Sequence, residues 1–114
     1  MSSDYTCFLS LADKLPDIPP DSIVSRSLFN GDDAKVTLFG FAPGQELTEH
    51  TAAFPAILHF LQGDADLTLG GDAMEAHAGT WAHLPPHLPH SIRARTPVVM
   101  LLYLVQHKQA DRAA

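Results

Sequence analysis

The chain has a single cysteine, Cys7, among its 114 residues. An internal disulfide is excluded, and with it the disulfide-stapled secreted scaffolds. Basic residues are scarce: 7 Lys and Arg stand against 13 Asp and Glu, for a net charge of −6. Nucleic-acid and anionic-membrane surfaces need basic patches, which this balance argues against. Long hydrophobic runs are also missing. The longest, Val98 to Val105, is too short to cross a bilayer as a helix. Asp4 and Asp13 interrupt any N-terminal leader pattern. No phosphate-cradling glycine loop and no helix-borne metal motif occurs. The serines give no nucleophile constellation. Ser91 follows His90 directly, so on a strand the two side chains face opposite ways. These absences lead to the expectation of a soluble cytoplasmic protein with neither nucleic acid nor membrane as partner.

Turn-forming residues, by contrast, are plentiful. The 9 prolines and 7 glycines cut the chain into short segments, as an all-β domain requires. A length of 114 residues suits one domain. Residues 1–20 hold a weak helical turn around Ser10 to Leu15, then Pro16, Pro19 and Pro20, and read as an extended lead-in. Nine strands are expected across residues 21–106: Ser22–Phe29, Ala34–Ala42, Gln45–Thr51, Ala56–Gln62, Ala65–Leu69, a segment around Met74 and Ala76, Thr80–Leu84, Pro89–Ala94 and Pro97–Val105. Asn30-Gly31-Asp32 reads as a hairpin turn through the ease with which Asn and Gly adopt positive φ. Gly70-Gly71-Asp72 reads as a second one. Val98 to Val105 is apolar at every position, the pattern of a strand buried on both faces. Residues 107–114 form a polar tail. Regular turns without a long helix suit an immunoglobulin-like sandwich or a jelly-roll barrel, and periodicity alone does not choose between them.

Two segments carry histidines at fixed offsets from a glycine. Gly44 is followed by His50 and the segment closes at Gly63. Gly79 is followed by Pro85 and His90. This pairing resembles the two motifs of the cupin superfamily, and the resemblance covers residues 44–94. It implies an all-β cupin double-stranded β-helix of the RmlC-like jelly-roll type. It also implies that His50 and His90 aim into the barrel at metal-ligand positions. The chain departs from the family pattern at four places. Ala52 stands where the second histidine falls, Ala56 where a glutamate falls, His87 where a glycine falls, and Ala94 where an asparagine falls.

The resemblance thus leaves two imidazoles of an expected four-ligand set. One divalent metal, Zn, Ni, Fe or Mn, is expected to bind weakly, with water or an exogenous ligand completing its coordination. Ala52, Ala56, Leu58, Phe60, His83 and His87 are expected to line the cavity around the pair. His59, of opposite parity to Ala56, is expected to face away. The leading expectation is a small stand-alone cupin that binds a small molecule in its barrel. The alternative is a metal-dependent dioxygenase or isomerase that recruits His83, His87 or Glu46 as a third ligand. Metal-free acid–base chemistry by His50 or His90 is a further possibility. The resemblance also implies a homodimer, with the apolar residues Ile18, Ile23, Val24, Leu28 and Phe29 contributing a face.

Overall fold

The computed structural model describes residues 4–15 and 17–106. A single 3-10 turn, Leu11–Lys14, precedes nine strands. These are β1 (Ile23–Asn30), β2 (Ala34–Phe41), β3 (Glu46–His50), β4 (Ala56–Gln62), β5 (Ala65–Leu69), β6 (Asp72–Ala76), β7 (Trp81–Leu84), β8 (His90–Ala94) and β9 (Val98–Val105). Five of them form sheet A in the order β1-β2-β9-β4-β7, and four form sheet B in the order β3-β8-β5-β6. Every strand pair is antiparallel. The two sheets face each other over one apolar interior, the jelly-roll arrangement expected from the turn spacing.

The alternation of each strand decides what enters that interior. From sheet A come Phe41, Leu58, Phe60, Leu84, Val98 and Met100, and from sheet B come Leu67, Ile92 and Ala94. Strand β9 lies between β2 and β4, which explains its unbroken apolar sequence. Val98 and Met100 fill the interior, while Val99 and Leu101 enter a second layer on the outer face of sheet A. Leu11, Leu15 and Ile18 pack onto that layer from the N-terminal segment. The approach is close: a Cβ on Gly40 would lie 2.6 Å from a methyl of Leu15. A larger residue there would push the Leu15 and Ile18 side chains aside. Gly63 has φ +89° and its missing Cβ would fall 2.0 Å from the Pro97 carbonyl oxygen, so this turn is closed to any side chain.

One expectation needs correction, and two gain detail. Positive φ plays no part at Asn30-Gly31, since neither residue adopts it. Gly31 instead makes room for the Phe29 ring, which a Cβ would meet at 2.7 Å. The apolar residues assigned to a dimer face are partly used within the chain. Ile18 and Leu28 pack on the outer layer and Ile23 on the interior. The helical turn expected in the lead-in is present at Leu11–Lys14, and Leu11, Leu15 and Ile18 of the lead-in pack onto the outer layer. The expected tail at 107–114 lies outside the described residues.

Candidate functional site

The site is built where β3 meets β8. The two strands pair Glu46 with Arg93 and Leu47 with Ile92, then His50 with His90. Three residues advance on β3 while two advance on β8, so β3 carries a bulge between Leu47 and His50. Ile92 is buried in the interior and Leu47 packs against it. His90, two residues from Ile92, shares its inward face. The bulge rotates His50 onto that same face. The two rings meet with centroids 4.2 Å apart and planes tilted by 56°. His90 is 6% exposed, the one buried polar side chain of the described residues, whereas His50 is open to solvent.

Backbone carbonyls orient both rings. His50 Nδ1–H donates to the Thr48 carbonyl at 2.9 Å, and His90 Nδ1–H donates to the Leu88 carbonyl at 2.9 Å. A carbonyl only accepts, so in each neutral ring the proton sits on Nδ1 and the Nε2 lone pair is free. Burial lowers the pKa of His90 below its ordinary value, opposed by the Leu88 hydrogen bond, and the neighbouring His50 lowers it further. His90 therefore holds the neutral state at neutral pH. Bare imidazole nitrogens on two adjacent rings can accept hydrogen bonds from a ligand or donate electron pairs to a cation.

The loop after β7 braces the pair. His87 N–H donates to the Ala52 carbonyl at 2.7 Å, tying this loop to the one after β3. His87 adopts φ +68°, a left-handed conformation costly for an L-residue with a Cβ. Its place in the chain is the one where the family pattern has glycine. The left-handed turn leads directly into Leu88, whose carbonyl holds His90.

The remaining candidates separate. Ala52 is half-buried beside His87, while Ala56 is 2% exposed and part of the packed interior. Its methyl does not border open space. Leu58 and Phe60 are 1% and 0% exposed and belong to the closed core, not to an open cavity wall. His83 pairs with Ile57 on the outer face of sheet A, because its neighbour Leu84 takes the inward position. Trp81, 58% exposed, shares that outer face, and His59 lies opposite it as its strand partner. Glu46 also faces outward: without the bulge it would share the parity of His50, but the bulge shifts the alternation between them. His83 and Glu46 are thereby removed as third ligands. Among the described residues no group of three His, Cys, Asp or Glu side chains is placed to hold a metal ion. The residues fit a two-imidazole docking point and do not fit a three-ligand metal centre.

A jelly roll with inward histidines on β3 and β8 defines a cupin-type barrel. The family model for the cupin domain matches residues 37–105, and the chain belongs to that family. It is similar in structure to a cupin superfamily protein from Desulfitobacterium hafniense, with 23% identity, 87% of this chain and 90% of that one covered, and a TM-score of 0.80. It is similar to a conserved protein of unknown function from Streptococcus pyogenes, with 26% identity, 93% and 92% covered, and a TM-score of 0.80. An RmlC-like cupin from Shewanella frigidimarina shares 16% identity, with 94% and 95% covered and a TM-score of 0.75. No curated protein matches the chain.

Proposed function

We propose that this cupin binds a small molecule at the mouth of the barrel, against the paired imidazoles of His50 and His90. One observation carries the reading: the two rings lie 4.2 Å apart and each is fixed by an Nδ1–H bond to a backbone carbonyl. Fixed rings with free Nε2 nitrogens favour a ligand that presents hydrogen-bond donors or bridges through a cation. The proposal includes one weakly held divalent cation, of the Zn, Ni, Fe or Mn group. His50 and His90 would supply its two protein nitrogens, and water or the small molecule would fill its other positions. Such a cation would supply Lewis acidity to the bound molecule. Glu46 and His83 face outward, and no group of three His, Cys, Asp or Glu side chains among the described residues, His87 included, is placed to hold a metal ion, so binding is favoured over metal-dependent turnover.

The test begins with metal analysis of untagged protein purified without added metal. Calorimetric titration with Zn²⁺, Ni²⁺ and Mn²⁺ follows, on the parent and on His50→Ala and His90→Ala. We expect weak one-to-one binding in the parent and its loss in either variant. Binding that survives both substitutions unchanged would remove the pair as the site.

A further inference from the structure

We propose that the groove between the N-terminal segment and the outer face of sheet A is a second ligand site. It takes a small planar aromatic molecule that is neutral or carries one positive charge. The groove encloses about 540 Å³, within the usual range of about 300–1,000 Å³ for small-molecule sites. It is separate from the imidazole pair, which faces the interior from sheet B.

The floor is formed by Val36 on β2 with Leu101 and Tyr103 on β9. One wall is formed by Leu28 and Phe29. A regular strand would send these two neighbours to opposite faces. Here β1 carries a bulge: Ser27 faces Thr37 and Phe29 faces Val36, leaving Leu28 as the extra residue. The bulge turns both side chains toward the groove, and Gly31 clears the space into which the Phe29 ring leans. The opposite wall comes from Tyr5 and Phe8. The Phe8 part of this wall is anchored. The Lys14 ammonium lies 5.4 Å from the centre of the Phe8 ring, and the Lys14 carbonyl accepts a 2.7 Å hydrogen bond from the Arg26 guanidinium. Leu15 and Ile18 then seat the segment over Gly40.

The lining selects the ligand. Both tyrosines of the chain and two of its phenylalanines line the groove. Four rings around one concavity favour a planar aromatic occupant through stacked and edge contacts. Among the described residues, Asp4 is the single charged member of the lining. With no cation among the described lining residues and a net charge of −6, an anionic ligand is disfavoured and a cationic one is attracted.

The experiment is a two-dimensional NMR titration of the full chain with 2-naphthylmethylamine, a cation, and with 2-naphthalenesulfonate, an anion of similar shape. We expect saturable shifts for the amine at Thr6, Val36, Leu101 and Tyr103 and none at His50 or His90, with the sulfonate binding several-fold more weakly. Val36→Phe fills the floor and is expected to abolish amine binding. Asp4→Asn leaves the packing intact and is expected to narrow the difference in affinity between the two probes. The proposal is overturned if the folded parent shows no saturable shifts, or if both variants bind the amine as the parent does. It is also overturned if raising the protein concentration alone reproduces the shifts, which would make a second copy of the chain the occupant.

Discussion

Strands β3 and β4 are joined by one short loop and turn side chains toward the same interior, yet they are opposites. On β4, Ala56, Leu58 and Phe60 are all buried, alternating without a break. On β3, Leu47 alone is partly buried and the other four residues are exposed. The strand that holds the core together presents no chemistry, and the strand that presents chemistry contributes little to the core. Binding groups can be set on a rigid scaffold without being part of what makes it rigid. The cost of changing them should then be a cost in binding, not in folding.

The largest effect should come from β4. Phe60→Ala empties a fully buried position and should lose about 3–5 kcal/mol, a large part of a small domain's stability. Urea denaturation checks it, and a loss under about 1 kcal/mol would mean that the interior is not close-packed there. His87→Gly relieves a left-handed residue at the mouth and should raise stability by about 0.5–1 kcal/mol. The gain is reduced because glycine has more freedom in the unfolded chain. A lower melting temperature would show that the His87 side chain supports the loop.

The pair itself divides along the same line. His90 is neutral when folded because burial lowers its pKa, whereas in the unfolded chain it titrates near 6.5. On acidification the unfolded chain therefore takes up the proton first. His90 contributes stability above that pH, and this is lost as the pH falls through the lowered folded value. Denaturation of chelator-treated protein across this range should show the loss, and His90→Gln should flatten it. The smallest effect belongs to His50→Ala. The ring is exposed, and stability should change by no more than about 0.5 kcal/mol. A change as large as that of Phe60→Ala would erase the distinction between the two strands.

Where alternation runs unbroken, sequence reading served well. Strand β4 has the bounds expected of it, and the continuous apolar stretch of β9 marks a strand covered on both sides. The pairing of His50 with His90 was legible through the motif spacing. Glu46 was not legible, because the bulge that turns it outward contains neither glycine nor proline to announce it. His83 could have been placed better: Leu84 is the natural inward residue of β7, and its neighbour must then face out. Ala56 and Leu58 were assigned to an open cavity because sequence gives the inward face but not how tightly that face is filled. The groove under the N-terminal segment brings residues 4–11 together with β9, which no local pattern encodes.

The position of β9 has a consequence for how this molecule is made. It is the ninth strand in the chain and the third in sheet A, between the second and the fourth. A nascent chain therefore carries β2 and β4 with no backbone partner joining them until β9 has left the ribosome. Sheet A cannot be completed during synthesis of the earlier strands. The pairing that joins its two halves is a late and long-range closure. Leu11, Leu15 and Ile18 precede every strand, but their contacts with Val99 and Leu101 form only after that closure, so these residues are made before part of the surface they pack on.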